Sequence, residues 1–338
     1  MNRERWRGAS LRLRLEALEK IFVAHPNLSR IIPLVNGRVS LLKAGGKAIG
    51  ILVLAPPDGG KTTLAKYLLQ SMPSSDVSET LDDGCEVTRT VTPCIYIQPP
   101  NPCSLGRIAD AIVLALGTPV DGSERIFGRC RNAISQLKLA ETLILIVDNA
   151  HDIPERRGHR GVMGISAFFR DIIDQARVIV LLLGTDIAEI VIAADPQLRK
   201  RIPAPMRLGF YDVGTVDGLA TCLRMLQELD DELPLAEPSG LGHGQLGRAI
   251  ACASDGKIGA CASLIQAAMP HALAMGREHL ELDDFVKAYS LIYVDYAAAI
   301  NPFDEKFVPR RLNRPGEPHF QVEMEQALAK AKQKAGTK

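Results

Sequence analysis

Short aliphatic runs alternate along the first two thirds of the chain with stretches whose apolar residues recur every three or four positions. The runs "AIGILVLA" (48–55), "TPCIYIQPP" (92–100), "TLILIVD" (142–148) and "RVIVLLLGT" (177–185) read as strands buried on both faces, and "MRLGFYDV" (206–213) as a fifth. Between them "KTTLAKYLLQSM", "SLGRIADAIVLALG", "GRCRNAISQLKLA", "GVMGISAFFRDIIDQA" and "IAEIVIAADPQLRKR" carry helical spacing. Strands and helices in this alternation predict a parallel sheet covered on both sides. From Gly214 the strand signal stops, and "GTVDGLATCLRMLQELDDEL", "GQLGRAIACAS", "KIGACASLIQAAMPHALAMG" and "ELDDFVKAYSLIYVDYAAAI" are all helical. The expected class is therefore α/β, a parallel-sheet core followed by a small all-helical domain.

At the N-terminus "RLRLEALEKIFV" (12–23) predicts a helix, "HPNLSR" a break, and "IIPLVNGRVSLLKAG" a second helix running into Gly45-Gly46. The polar stretch 73–91, "PSSDVSETLDDGCEVTRTV", predicts a loop inserted between the first helix of the core and its second strand. The division expected from these patterns is a basic helical segment over 1–45, the α/β core over 46–213, the helical domain over 214–300, and a basic tail over 301–338. The last part of that tail, "EMEQALAKAKQKAGTK", is expected to be a loose helix or disordered.

Composition narrows the picture. Apolar residues make up 46% of 338, an ordinary soluble balance, and no apolar run approaches the ~20 residues of a membrane span. The basic start "MNRERWRGASLRLRLEALEK" lacks an apolar signal core. Seven cysteines without a C-x-x-C pair suggest reduced thiols, hence a cytoplasmic protein without membrane contact. Net charge is +1, but it is unevenly spread: residues 1–47 hold ten Arg or Lys against three Glu, and the segment from Glu305 eight against four. Basic ends on an acidic middle fit contact with a polyanion or two solvated termini equally well.

The first strand runs into "APPDGGKTT" (55–63), which opens a helix. That is the context a G-x-x-x-x-G-K-[ST] phosphate loop needs. Backbone amides of Asp58, Gly59, Gly60, Lys61, Thr62 and Thr63 would cradle phosphate oxygens at the helix N-terminus, where the dipole favours anions. Lys61 would reach the outer phosphates and the Thr62 hydroxyl would hold Mg²⁺. Ala55 stands at the first glycine position, and Pro57 has no amide to donate.

Asp148 ends the aliphatic strand "TLILIVD", the place from which a carboxylate reaches the same Mg²⁺. The next position, where related ATPases carry a water-activating Glu, is Asn149. Its amide oxygen can orient water but has no basic site, so hydrolysis is expected to be slow or negligible. His151 and Asp152 follow past the strand end.

The series "HPNLSRIIPLVNGRVSL", "ILVLAPPDGGKTTLAKYLL", "IYIQPPNPCSLGRIADAIVLALGTP", "LILIVDNAHD", "VIVLLLGTDIAEIVIAADPQLRKRI" and "DGKIGACASLIQAAMPHAL" resembles the TniB/TnsC family over roughly residues 15–290. The resemblance implies an AAA+ P-loop NTPase core with a helical lid. It further implies a regulator of DNA transposition that binds ATP with Mg²⁺ and assembles as a homo-oligomeric ring or filament on double-stranded DNA. Such a protein links a target selector (TniQ-like) to a transposase (TniA/TnsB-like). By resemblance Thr185 is the sensor at the γ-phosphate or attacking water. Arg199 and Arg201 are candidates for an arginine that completes a neighbouring subunit's site, and Arg248 for a second sensor in the lid. Sequence-independent DNA contacts are expected from Arg156, Arg157 and Arg160 with His159 in "PERRGHRG", and from Arg125, Arg129 and Arg131 in "RIFGRCR". A helicase-loader-like AAA+ protein, a nucleotide-gated signalling switch and a P-loop kinase are the competing readings. Duplex binding separates a transposition regulator from the signalling switch, and a kinase needs an acceptor-substrate pocket and no trans arginine and rarely ends in a four-helix lid.

Overall fold

The computed structural model of the chain describes residues 3–21, 26–80, 86–156, 158–297, 299–304 and 306–320. The Ala/Lys-rich end, 323–338, lies outside the described residues, as does Arg157. The chain forms two compact units. One is α/β and holds Pro26–Pro56 and Gly60–Leu208; the other is helical and, of the described residues, holds 3–21, the short stretch Pro57–Gly59 and 209–320.

The α/β unit is built on five parallel strands: β1 Ile51–Leu54, β4 Cys94–Ile97, β5 Ile144–Val147, β6 Ile179–Gly184 and β7 Met206–Arg207, in the order β4-β5-β6-β1-β7. β1, β5 and β6 are buried at every position, which is why their sequences are unbroken aliphatic runs rather than alternating ones. Register aligns Leu54 with Gly184 and Val147 with Leu182, so the C-terminal ends of β1, β5 and β6 finish along one edge. The fifth strand is much shorter than "MRLGFYDV" suggested. Only Met206 and Arg207 pair, with Val53 and Leu54, as suits an edge strand with one neighbour.

Two further expectations need correction. The 73–91 stretch is not a loop: β2 Ser75–Thr80 and β3 Glu86–Val91 form an antiparallel hairpin. Hydroxyls hold it across the strands, Ser78 to Thr88 Oγ at 3.0 Å and Thr90 Oγ1 to Asp76 Oδ1 at 2.8 Å, at directly opposed positions. The "HPNLSR" stretch does not end a helix but begins one, Pro26–Lys43, because proline is tolerated in a first turn whose amides have no partner anyway.

The helical unit packs Val216–Glu232, Gly244–Ser254, Ile258–Ala274 and Leu282–Ile292 around Leu226, Ile250, Leu264, Ile265, Met269, Phe285 and Tyr289. The stretch after residue 300 enters this core with Phe303 and Leu312, and the Phe303 ring stacks on Phe285 at 5.5 Å. The N-terminal helix Leu11–Leu18, capped by the Ser10 hydroxyl, lays Leu15 and Leu18 against the same core. Arg14, only 1% exposed, pins it there: its guanidinium grips both oxygens of Glu278 at 2.7 and 2.8 Å and donates to the carbonyls of Trp6, Ala9 and Pro234. Arg3 pairs with Asp231, and Arg7 with Glu4 and Glu237. Much of the basic charge at the chain's start is thus neutralised inside its own unit. Six described cysteines are free, and among the described residues no helix is long and apolar enough to cross a membrane.

Candidate functional site

At the C-terminal edge of the α/β sheet the chain leaves β1, β5 and β6 and turns. The Ala55 amide donates to Gly184 O at 2.9 Å, and the Ala150 amide to Leu183 O at 2.8 Å, so the three turns are tied together by backbone bonds. Helix Lys61–Ser71 starts at this edge. Its N-cap, Gly60 at φ 87°, has no side chain to cap the first-turn amides, which are left to an external acceptor. The buried Lys61 ammonium curls onto Ala55 O and Pro56 O at 2.8 and 2.7 Å. Asp58 takes φ 60°, a left-handed conformation that Asp tolerates better than most residues. It and Gly59 cluster with the helical unit, where the Gly259 amide donates to Asp58 O at 2.9 Å. Thr63 lies in the first turn of the helix and is half-buried.

Asp148, 1% exposed, collects three donors: the Asn149 amide on Oδ1 at 2.8 Å, and Thr62 Oγ1 and Tyr96 Oη on Oδ2 at 3.2 and 3.1 Å. The hydroxyl–carboxylate pair is a hard-oxygen set of the kind Mg²⁺ takes, so these residues fit the ion the sequence implied. Tyr96 escaped the sequence reading, although it is the one polar-headed residue in "CIYI". Burial, and then the adjacent Asp148 charge, push its phenol up to about 12, so it stays protonated and donates. Gln98 in turn donates to Tyr96 Oη at 2.7 Å.

Asn149 sits at φ 53°. Asparagine is among the few residues that adopt this region readily, so the backbone supplies its own reason for Asn here. Thr185 follows β6, and its Oγ1 is buried with no hydrogen-bond partner among the described residues. Arg201 lies at the other edge of the sheet: its carbonyl accepts from Gly50 just before β1, and its side chain pairs with Asp174 at 2.5 Å. Arg199, on the same short helix Pro196–Arg201, is exposed. With four-residue strands intervening, neither arginine is near the turns that hold Lys61 and Asp148. Arg248, in the helical unit, is exposed and lines a cavity of about 680 Å³ with His243, Gln245 and Asp304.

The six arginines expected to meet DNA part ways. Arg129 is engaged internally, with Asp110 at 2.8 Å and with the carbonyls of Glu124 and Gly122. Arg156 pairs with Asp152 at 2.7 Å. Arg125, Arg131 and Arg160 are exposed and form no ion pair among the described residues. Arg157 lies outside the described residues.

A parallel sheet in the order β4-β5-β6-β1-β7 with a glycine–lysine–threonine loop after β1, an acid after β5 and a threonine after β6 defines an AAA+ α/β core, here followed by a helical lid. Solved structures of this fold include the Aeropyrum pernix ORC2 protein in ADPNP-ADP complexes, at 19% identity and a TM-score of 0.57 over 82% of this chain and 71% of that one. The Aeropyrum pernix ORC1 protein in complex with DNA matches at 15% identity and 0.58 over 83% and 70%. Cdc6p from Pyrobaculum aerophilum matches at 15% and 0.55 over 81% and 69%. The chain matches the bacterial TniB protein family over residues 15–208 and belongs to that family. No curated protein matches it.

Proposed function

We propose that this chain is an ATP-binding AAA+ regulator of DNA transposition that assembles with copies of itself on double-stranded DNA and connects a target selector to a transposase. The observation that carries the reading is the hydrogen bond from the exposed Thr62 hydroxyl to the buried Asp148 carboxylate, beside the Gly60-Lys61-Thr62 turn, in a chain of the TniB family. Lys61 and the amides of Gly60, Lys61 and Thr62 would hold phosphates, and Thr62 and Asp148 would hold Mg²⁺, which neutralises phosphate charge when bound. That solved neighbours carry ADPNP and ADP in one case and DNA in another supports both halves of the reading.

Arg199 is the better candidate for a trans arginine than Arg201. It is exposed, whereas Arg201 already neutralises Asp174. Its place at the edge away from Lys61 suits a residue that serves a neighbour's phosphates rather than its own. Arg125, Arg131 and Arg160 are the residues left to contact duplex phosphates.

The test is binding of random-sequence duplex DNA with and without a non-hydrolysable ATP analogue, with the same samples imaged by negative stain. Nucleotide-dependent particles on duplex are expected from the wild type and absent from Lys61→Ala. Particles of equal abundance without nucleotide, or from Lys61→Ala, would refute the reading.

A further inference from the structure

We infer that His151 is the residue that positions the attacking water, in the place left open by Asn149. The inference rests on the nucleotide reading above and names a residue that reading does not use.

Asp148 cannot do the work. It already accepts three hydrogen bonds, and its remaining capacity is needed to hold the metal. Asn149 has its backbone committed to the left-handed φ of 53° that the turn requires. Past it the turn brings His151 back against the end of β6. A Cβ on Gly184 would stand 2.7 Å from Ala188 Cβ and 3.2 Å from His151 N, so Ala188 and the turn backbone require glycine there, and the His151 ring packs beside it with Nδ1 3.5 Å from that position. Nδ1 is buried and has no hydrogen-bond partner among the described residues. The residue after Gly184 is Thr185, whose Oγ1 is buried and equally without one. Two orphaned polar atoms therefore flank one glycine at the sheet edge that carries Lys61, Thr62 and Asp148. Buried polar groups left unpaired are costly, and a small hydrogen-bonding guest satisfies them.

The ring's surroundings differ at its two nitrogens. Its other nitrogen, Nε2, faces Asp152 Oδ1 at 3.9 Å, and Asp152 is itself fixed by Arg156 at 2.7 Å. A carboxylate on that side favours the tautomer with the proton on Nε2, which leaves Nδ1 as an acceptor. A water admitted when nucleotide binds would donate to Nδ1 and be oriented there toward the γ-phosphate. The water oxygen bonds to the γ-phosphorus as the β–γ bridging P–O bond breaks, and its electron pair leaves on ADP. Both water protons depart on dihydrogen phosphate. His151 supplies orientation in a largely dissociative step, where orientation matters more than basicity.

Two variants and one spectroscopic readout test it. Asparagine at 151 places an amide oxygen near the position of Nδ1, and leucine fills the space without an acceptor. Steady-state phosphate release should fall on the order of 10²-fold in His151→Leu and stay within about threefold of wild type in His151→Asn, with KM for ATP unchanged in both. In the nucleotide-free wild type, ¹⁵N spectra of labelled histidine should show His151 with its proton on Nε2. Turnover by His151→Leu equal to wild type, an equal loss in both variants, or a proton on Nδ1 would overturn the assignment. A wild type that binds the ATP analogue but releases no phosphate would overturn it too. A wild type that binds no nucleotide, with the Nε2 tautomer intact, would instead bring down the nucleotide reading and this inference with it.

Discussion

At the scale of single residues, position 149 separates conformation from chemistry. A left-handed backbone costs an ordinary side chain roughly 1–2 kcal/mol, asparagine less, and glycine nothing. Asn149 therefore answers a turn that must leave β5, donate its amide to Asp148 and deliver His151 to Gly184. Asn149→Gly should be as stable as wild type or slightly more so. Asn149→Glu, which restores the familiar carboxylate, should lose about 1 kcal/mol, read as a lowered urea midpoint at unchanged m. Equal stability of the Gly and Glu variants would show that the turn imposes no such demand. Arg14 is the opposite kind of residue, chosen for its charge and fork. Removing it strands Glu278 and three carbonyls, and Arg14→Met should cost about 3–5 kcal/mol, with Arg14→Met/Glu278→Met recovering a large part. If the double variant is no more stable than the single, the pair itself is not what holds the N-terminal helix down. The residues the sequence made visible were those with local signatures: Lys61 and Thr62 in a glycine turn, Asp148 at the end of a strand. Tyr96 was not, because its value lies in an Asp148 fifty-two positions away.

At the scale of elements, legibility followed burial. β1, β5 and β6 are buried at every position, so their aliphatic runs announced them. The β2–β3 hairpin exposes most of its described positions, so it has no apolar face to betray it, and its hydroxyl pairs show only once the register is known. The stretch after residue 300 looked like a solvated tail because its charges are frequent and its apolar residues few. In the fold those charges are partnered: Arg310 with Glu317 at 2.5 Å, Arg311 with Asp255 at 2.7 Å, and Lys257 Nζ against His319 Nδ1 at 3.4 Å. The His319 Nε2–H donates to Ala253 O at 2.7 Å, and burial holds its pKa below the usual histidine value. A depressed folded-state pKa means that the unfolded chain binds the proton more tightly. The contribution of His319 to stability is then complete above about pH 6.5 and is lost as pH falls from there toward its folded value. Glu278 and Glu317, held below the usual carboxylate range by Arg14 and Arg310, respond only at more acid pH. As pH falls below about 6.5 the wild type should lose stability at up to ~1.4 kcal/mol per pH unit, and His319→Gln should flatten that slope. A slope unchanged in the variant would place the titrating group elsewhere.

At the scale of the whole molecule, charge at the surface is not what the sequence's charge count suggests. Arg3, Arg7 and Arg14 are paired within the helical unit, and Arg129 and Arg156 within the α/β unit. A guanidinium already held by a carboxylate releases few counterions when a phosphate approaches, since its field is largely cancelled. Exposed cations without such partners do release them, and each phosphate contact contributes about 0.9 to the slope of log K against log salt on B-form DNA. Replacing Arg125, Arg131 and Arg160 together by Gln should therefore weaken duplex binding and reduce that slope by up to about 2.7. Arg129→Gln should leave the slope where it is, although it removes the tie to Asp110 and the 122–124 backbone and so lowers stability. The two variants have opposite signatures, one in salt dependence and one in the unfolding midpoint, so a general loss of fold cannot imitate the DNA effect. Titrating a fluorescent duplex between 50 and 200 mM salt reads both slopes. If the triple variant keeps the wild-type slope while Arg129→Gln lowers it, the phosphate contacts lie on the paired residues, and pairing in the free protein must open when DNA binds.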